Sequence, residues 1–244
     1  MLKIEDVTVR YTRGGPSILD HLRLTAKAGE CVALVGPSGA GKTTLLRSIN
    51  ASVPIESGNV WVGDVRTSAV RGQALRSIRS RIAFISQKHD LVPRLKVYQN
   101  VMAGALGRWS TAHALRFLLH AKASELDEAA GALESVSLAH KLRSRTTELS
   151  GGEQQRVAIA RALIQHPLVI LADEPIASLD PETAAQVLRL LCDLARNRGI
   201  ALLCSLHQPD LARHYFDRLL RISEGRAVPV PAGVASARRA AVPC

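Results

Sequence analysis

The sequence predicts an α/β fold with a mostly parallel sheet, an antiparallel β part at the N-terminus and a helical insertion. Short apolar runs such as residues 31–35 and 168–172 are separated by helical patterns, which is typical of parallel strands buried on both faces. Residues 2–10 and 18–24 instead alternate apolar and polar side chains, as paired half-buried strands do. From about residue 88 to 150 the pattern is helical, with few β-branched runs. We therefore expect the helices of that stretch to interrupt the α/β core.

The remaining elements follow from the same periodicities. Short apolar runs predict further strands at residues 59–62, 81–85, 200–204 and 218–222. Apolar residues at helical spacing predict helices at residues 73–80, 97–106, 112–122, 125–136 and 156–165. The sequence thus predicts one folded unit over residues 1–225. Residues 226–244 lack a clear period, so we expect a poorly ordered tail there.

Length and composition set the broad class. The chain has 244 residues, 47% of them hydrophobic, which is enough for one large domain or two closely joined lobes. It contains no apolar run long enough for a transmembrane helix. Charges interrupt the first six residues, so we expect neither a signal peptide nor export from the cytoplasm. The four cysteines form no CxxC pair or Cys/His cluster, which predicts reduced thiols rather than a metal site.

The chain is strongly basic, with a formal net charge of +11 and an isoelectric point near 10.2. Such a charge favours contact with a polyanion, either nucleic acid or an anionic membrane face. Only 3% of the residues are aromatic and no nucleic-acid recognition motif is present, so we expect no nucleic-acid partner. A basic surface that is merely solvated fits the charge equally well.

A phosphate-binding loop organises the chain. Residues 36–43 have the pattern G-x-x-x-x-G-K-T, between an apolar strand and a helical pattern. Glycines let the backbone curl and aim successive N–H groups inward, and the following helix adds its positive N-terminal end. Lys42 supplies a charge for the β- and γ-phosphates, and the Thr43 hydroxyl can ligate Mg²⁺. The sequence therefore predicts a nucleoside-triphosphate site made of Gly36, Pro37, Ser38, Gly39, Ala40, Gly41, Lys42, Thr43 and Thr44.

A second glycine pair precedes the helical pattern at residues 156–165. Ser150, Gly151 and Gly152 could present free N–H groups to an anion. Ser150 could equally be a simple N-cap that forms a capping box with Glu153. This stretch alone does not separate the two interpretations.

Acidic residues follow the strand predicted at residues 168–172. Asp173 and Glu174 stand at its carboxyl end, where ligands of α/β sheets bind. One carboxylate can hold Mg²⁺ through water, and the other can polarise an attacking water. A lone histidine is usually structural, but His207 follows the strand at residues 200–204, beside the strands that carry the loop and the acids, which favours a position near the γ-phosphate.

The motifs, in their order along the chain, resemble those of the ATP-binding subunits of ATP-binding-cassette (ABC) transporters. The resemblance covers residues 1 to about 225, with Glu153 in place of the commoner Gln at the end of the signature. The matching positions are Tyr11 (adenine-stacking aromatic), residues 36–43 (Walker A), Gln87 (Q-loop), residues 149–153 (signature), Asp173 and Glu174 (Walker B and catalytic acid), residues 178–180 (D-loop) and His207 (switch).

The resemblance implies that two subunits sandwich two ATP molecules head to tail. Each ATP would lie between Walker A of one subunit and the signature of the other, and Asp180 would link the two sites. Gln87 would contact Mg²⁺ and sense the γ-phosphate, Glu174 would be the general base, and His207 would steady the γ-phosphate. Transmembrane permease subunits would dock near residues 89–101, and a periplasmic or extracellular binding protein would act indirectly. The expected location is peripheral, on the cytoplasmic face of the inner membrane.

A finer resemblance is to the ATPases of phosphonate importers. It rests on residues 89–107, on the long stretch 109–119 and on residues 173–180. ATPases of other importers, of lipoprotein release or of cell division remain alternatives, because they would keep the same ATP residues. A regulatory protein that binds ATP without hydrolysis would be expected to lose Glu174 or His207, and both are present.

Overall fold

The structure is a computed structural model that describes residues 1–12 and 14–230. Its strands are β1 (Leu2–Val9), β2 (Leu19–Ala26), β3 (Cys31–Val35), β4 (Ser57–Val62), β5 (Val65–Arg66), β6 (Ile82–Ile85), β7 (Val169–Asp173), β8 (Ala201–Leu206), β9 (Arg218–Ser223) and β10 (Arg226–Pro229). Its α-helices are α1 (Lys42–Ile49), α2 (Gly72–Arg79), α3 (Val97–Met102), α4 (Thr111–Leu119), α5 (Ala123–Glu134), α6 (Gly151–Ile164), α7 (Pro181–Asn197) and α8 (Pro209–Tyr215). Three short 3₁₀ helices span Ala103–Gly107, Ala139–Lys141 and Thr146–Glu148.

The larger sheet has six strands in the order β10-β9-β3-β8-β7-β6. All its neighbouring strands run parallel except the antiparallel β9–β10 hairpin. Along β3, Cys31, Ala33 and Val35 face one hydrophobic core while Val32 and Leu34 face the other. Burial on both faces explains why β3 is apolar throughout. The predicted mostly parallel core is confirmed.

The smaller sheet has four antiparallel strands in the order β2-β1-β4-β5. Its inward-facing side chains share one core with α1 and with one face of the larger sheet; Leu2, Val32 and Leu45 all belong to this core and are fully buried. The predicted antiparallel N-terminal part is therefore confirmed. It packs over the helix that follows the phosphate-binding loop and so helps to hold that helix in place.

The described residues between 88 and 150 form helices, with α3, α5 and α6 packed on one another. The predicted helix at residues 97–106 is α-helical only to Met102 and continues as a 3₁₀ helix. Gly104 approaches α6 so closely that an added Cβ would lie 2.2 Å from the Arg161 carbonyl oxygen. The helical stretch therefore exists, while its bounds as a separate subdomain stay a prediction.

The predicted start of the tail, at residue 226, is too early, because the chain continues there as a strand. Arg226–Pro229 forms β10, which pairs with β9 through a turn at Glu224 and Gly225. The Arg226 guanidinium also reaches Asp20 Oδ2 at 2.9 Å, and the Asp20 amide donates to the Gly225 carbonyl. A four-residue strand with no apolar alternation leaves little signal in the sequence. The rest of the predicted tail, residues 231–244, lies outside the described residues.

Within the described chain, every helix is too short or too polar to cross a membrane.

Candidate functional site

The phosphate-binding loop connects β3 to α1. Gly36 has a φ of 153°, and a Cβ there would lie 2.5 Å from the Ile222 carbonyl oxygen, so the loop requires glycine at this point. Gly41 is the N-cap of α1 with a φ of 98°, and no side chain caps the helix. The first turn of α1 also carries no acidic residue. The amino end of α1 therefore keeps N–H groups and positive dipole for an anion.

Lys42 lies inside this loop and is only 5% exposed. Its ammonium donates to the Gly36 carbonyl at 2.8 Å and to the Pro37 carbonyl at 3.1 Å. An ammonium has three N–H donors, so these two bonds leave one for a phosphate oxygen. The two carbonyls thus hold the charge at the loop, where it can act on the β- and γ-phosphates.

Thr43 connects the loop to the predicted Walker B acid. The Thr43 hydroxyl donates to Asp173 Oδ1 at 3.0 Å, across 130 positions of the sequence. The Ser205 hydroxyl donates to the same carboxylate oxygen at 2.7 Å and accepts the Glu174 amide at 2.9 Å. Ser205 is fully buried on β8 and is paired in register with Asp173 on β7.

Ser205 is a site residue that the motifs missed. It is the one polar residue of the β8 run Ala-Leu-Leu-Cys-Ser-Leu and stands two positions before His207. A hydroxyl in an otherwise apolar, fully buried strand must find a hydrogen-bond partner. That requirement is the signal that could have identified it.

Glu174 and His207 meet directly. The His207 Nε2 atom lies 2.5 Å from Glu174 Oε1, and the two side chains are 44% and 21% exposed, respectively. Glu174 has a φ of 51°, in the left-handed region that costs a non-glycine residue free energy. The contact orients the carboxylate through the imidazole. A carboxylate held this way can accept a proton from a water molecule.

Gln87 follows β6, the strand beside β7 in the parallel sheet, so it lies at the same edge as Asp173 and Glu174. Its side chain is exposed and makes no hydrogen bond to another described residue. The backbone just beyond it is fixed to α6. Arg161 donates to the carbonyls of His89 and Asp90 at 2.6 Å each, although both residues have positive φ. This clamp ties the Q-loop to the helix that begins at the signature.

Tyr11 follows β1 and reaches the start of α1. Its hydroxyl is 2.9 Å from the Thr44 hydroxyl, while 64% of the residue is exposed. An aromatic ring beside the loop, open to solvent, can stack on a nucleobase.

The oxygens at the loop suit Mg²⁺. Thr43 and Asp173 bring a hydroxyl and a carboxylate together, and the Gln87 amide lies at the same edge. Mg²⁺ is commonly held by one or two carboxylates together with substrate phosphates, so it does not need a larger cluster of protein ligands. No group of three His, Cys, Asp or Glu residues within the described chain could hold a metal by itself. The residues therefore fit an ion that is bound together with a nucleotide.

The signature residues lie at the amino end of α6, which starts at Gly151, five residues earlier than predicted. The Ser150 hydroxyl accepts the Glu153 amide at 3.3 Å, and the Glu153 carboxylate accepts the Ser150 amide at 2.8 Å. The bond from the Ser150 amide lowers the pKa of Glu153, so its carboxylate is charged at neutral pH. The capping box therefore exists. It leaves the N–H groups of Gly151 and Gly152 uncapped, so the capping box is compatible with an anion site here, and the anion site stays a prediction.

The D-loop borders the signature. Ser150, Gly151 and Asp180 line a surface cavity of about 490 Å³. Asp180 caps α7 by accepting the Thr183 amide at 3.0 Å, and this bond lowers the pKa of the carboxyl group. No hydrogen bond among the described residues joins Ser150, Gly151 or Gly152 to the phosphate-binding loop. The sequence-predicted residues thus form two separate groups within one chain.

Comparisons with known proteins agree on one family. Residues 19–177 match the family model described as ABC transporter. The chain is 43% identical to the phosphonates import ATP-binding protein of Frankia casuarinae, over 93% of this chain and 88% of the relative. It is 44% identical to the phosphate-import ATP-binding protein of Mycolicibacterium smegmatis, over 91% of this chain and 83% of the relative.

Solved structures give the same result. One similar structure is a dimeric ATP-binding cassette in a post-hydrolysis state bound to ADP and Pi. Its TM-score is 0.81 at 30% identity, covering 96% of this chain and 99% of the other. Another is a nucleotide-free cassette from an ABC transporter, with a TM-score of 0.79 at 25% identity over 93% and 89% of the two chains. The fold of this chain is therefore that of the ATP-binding cassettes.

Proposed function

The chain belongs to the ABC transporter family and is an ATPase, and we propose that two copies hydrolyse ATP in a head-to-tail dimer that drives import. The observation that carries this proposal is the division of the motif residues. Lys42, Thr43 and Asp173 stand around one helix end, and Ser150 and Gly151 stand at another, with no hydrogen bond between the two groups among the described residues. Two copies arranged head to tail would complete two sites.

The roles proposed for the residues follow from their contacts. Lys42 and the N–H groups of the loop would hold the β- and γ-phosphates. Thr43, Asp173 and Gln87 would hold Mg²⁺, which when bound neutralises charge on the phosphate oxygens. Glu174 would accept the proton of the attacking water, and His207, at 2.5 Å, would orient that carboxylate and the γ-phosphate. Gly151 and Gly152 would contact the nucleotide of the other subunit, beside Asp180.

Glu174→Gln tests the mechanism. The amide keeps the size and reach of the side chain but cannot accept the proton, so hydrolysis should fall by about 10²–10⁴-fold. ATP should still bind, because Lys42, Thr43 and the loop are unchanged. Binding without hydrolysis should then trap the dimer. Size-exclusion chromatography with and without ATP, together with phosphate release, measures both effects.

Glu182→Gln is the matched control, since it removes an exposed carboxylate from the first turn of α7. It should hydrolyse ATP like the wild type and form no trapped dimer. A Glu174→Gln variant that stays monomeric and hydrolyses ATP at the wild-type rate would refute the role proposed for Glu174.

We propose a phosphonate or a related phosphorus oxyanion as the cargo. The two curated relatives described above are named for phosphonate import and for phosphate import. These cargoes share a tetrahedral phosphorus oxyanion. The relatives match more than nine tenths of this chain. Their similarity favours this class over the lipoprotein-release and cell-division alternatives.

Growth of a deletion strain tests the cargo. Loss of the gene should abolish growth on a phosphonate, or on phosphite, as the sole phosphorus source. Growth should return with the wild-type gene but not with the Glu174→Gln gene. Unimpaired growth on every phosphorus source in a strain with no second importer would refute the cargo while leaving the ATPase activity intact.

The proposed partners follow from the import role. The chain would bind transmembrane permease subunits at the cytoplasmic face of the cell membrane, through the exposed segment at residues 89–96 beside Gln87. Val92 and Arg94 are exposed there, while Asn100 fixes the segment by accepting the Val92 amide at 2.8 Å and donating to the Thr146 hydroxyl at 2.9 Å. A binding protein on the other side of the membrane would deliver the cargo without touching this chain.

A further inference from the structure

Helix α4 presents leucines to solvent. Leu115, Leu118 and Leu119 are 58%, 55% and 90% exposed, and their spacing of three and four residues puts them on one face of the helix. They are three of the eight large apolar residues that are exposed in the described chain, and the other five lie outside α4. Scattered exposed leucines need no explanation, but a concentrated apolar face usually marks a contact surface.

The inner face of α4 is fixed, so the leucines cannot turn inward. Phe117 is 4% exposed, and its ring centroid lies 5.0 Å from that of Trp109 and 6.0 Å from that of Tyr98 on α3. The contact with Tyr98 joins α4 to α3, the helix that directly follows the segment that we propose as the permease-docking region.

An ionic network around the buried Glu125 carboxylate adds a second attachment. The Glu125 carboxylate, 8% exposed, accepts hydrogen bonds from Arg116 Nη1 at 2.7 Å and from the Lys122 amide at 2.8 Å. His113 Nε2 lies 2.7 Å from the same carboxylate, and the His113 ring stacks on Trp109. The Arg116 guanidinium is the main reason that the pKa of Glu125 falls to about 2. Both attachments hold the leucine face outward in a rigid helix.

The sequence segment that contains the leucine face is basic. No acidic residue occurs between Asp90 and Glu125. The cations of that stretch are Arg94, Lys96, Arg108, Arg116 and Lys122, with His113 and His120 as additional bases. Arg108 and Arg116 pair with Glu128 and Glu125, whereas Arg94, Lys96 and Lys122 have no carboxylate partner among the described residues. The segment thus combines leucines with unneutralised positive charge.

We propose that the leucine face of α4, together with the exposed Lys122 three residues after it, lies in the interfacial layer of an anionic phospholipid bilayer. This inference rests on the proposed place of the chain beside a membrane permease. Leucines flanked by cations are the composition of helices that lie in the membrane interface, and anionic headgroups attract the cations. A second copy of this basic segment would be repelled, and nucleic acid would not favour exposed leucines.

Vesicle sedimentation with the full-length chain tests the proposal. The probes are vesicles of phosphatidylglycerol and vesicles of phosphatidylcholine. The wild type should bind the anionic vesicles more strongly, and the triple variant Leu115→Gln/Leu118→Gln/Leu119→Gln should lose about tenfold or more of that binding. Lys122→Glu should weaken it by a few-fold and should also reduce its dependence on salt. Val228→Gln, at a 53% exposed site on β10, is the matched control and should bind like the wild type.

The outcomes separate this proposal from the proposed function. ATP hydrolysis in vesicle-free solution should be equal in the wild type, the triple variant and the control, because α4 contacts none of the ATP motifs. Wild-type protein that does not prefer phosphatidylglycerol vesicles, or a triple variant that binds them like the wild type, would overturn the lipid contact. If the triple variant binds the vesicles like the wild type but fails to co-purify with the permease, the leucine face is a protein contact instead. Loss of ATP hydrolysis in all proteins would refute the proposed function and not the lipid contact.

Discussion

Two helices of this chain begin beside glycines, yet their amino ends are built differently. The α1 end has a left-handed Gly41 as its cap, no side-chain cap and no acidic residue in the first turn. The α6 end has a complete capping box, in which Ser150 and Glu153 satisfy each other's amides. The first turn of α1 therefore carries no acidic residue, whereas the first turn of α6 carries the Glu153 carboxylate.

The surroundings of the two ends differ as well. Thr43 at the α1 end is bonded to Asp173, which Ser205 holds from the neighbouring strand, and Lys42 is buried in the loop. The α6 end borders a cavity open to solvent. In the proposed dimer, the α1 end would bind phosphate within its own chain. The α6 end, with only two uncapped glycine amides, would contribute a smaller share, and it would act on the nucleotide of the second copy.

Lys42→Ala should show the largest effect, because it removes the buried cation of the α1 end. A hydrogen bond to a charged group contributes about 1.5–3 kcal/mol, and each 1.4 kcal/mol is about tenfold in affinity. We expect ATP affinity to fall by roughly 10²-fold, with loss of the ATP-dependent dimer. Titration calorimetry measures the affinity. Lys27→Ala, which removes an exposed lysine from the turn after β2, should bind ATP normally. Equal ATP affinity for both variants would mean that the α1 end does not depend on Lys42.

Ser205→Ala should have an intermediate effect on ATP hydrolysis. It leaves the residues of the α1 end unchanged and removes only the hydroxyl that holds Asp173 and the Glu174 amide. The variant removes one donor from Asp173 and leaves the Glu174 amide without its partner, which costs about 1–3 kcal/mol when the group is buried. We expect roughly tenfold slower hydrolysis with ATP affinity nearly unchanged. Steady-state kinetics and thermal unfolding separate the two effects.

Ser48→Ala is the matched control for Ser205. Ser48 is 2% exposed, and its hydroxyl donates only to the Leu45 carbonyl of α1. It should lower thermal stability without slowing hydrolysis to the same degree. If Ser205→Ala and Ser48→Ala reduce hydrolysis equally, then Ser205 acts through stability alone.

The sequence predicts the α1 end well because its chemistry is local. A strand, a glycine loop, a lysine and a helix follow one another in the sequence. The local pattern of residues is therefore enough to predict the structure of this end. The parallel strands were predictable for a related reason: burial on both faces makes them strongly apolar, and β3 and β6 are apolar throughout.

The features that the sequence did not reveal depend on contacts between distant residues. Ser205 meets Asp173 only because β7 and β8 pair in one register. β10 is stabilised by hydrogen bonds to β9 and by the Asp20–Arg226 pair, across about two hundred positions. The clamp from Arg161 to His89 and Asp90 likewise joins an ordinary helix position to two backbone carbonyls. Such contacts cannot be predicted from the pattern of neighbouring residues in the sequence.

Glu153→Gln should have the smallest effect, and it tests whether the α6 end faces a nucleotide at all. Glutamine can keep the capping box, since its side-chain oxygen still accepts the Ser150 amide. The variant loses a negative charge and a surface ion pair with Lys141 at 3.6 Å, which is worth little. If the partner's γ-phosphate approaches this end, removing a like charge should strengthen the ATP-dependent dimer by a few-fold, and more at low salt. Sedimentation at several salt concentrations, in the Glu174→Gln background that blocks turnover, measures the dimer constant. Glu182→Gln changes the net charge equally on the first turn of α7, so it corrects for the overall charge of the protein. A dimer constant that rises equally for both substitutions would show that the α6 end does not face the nucleotide.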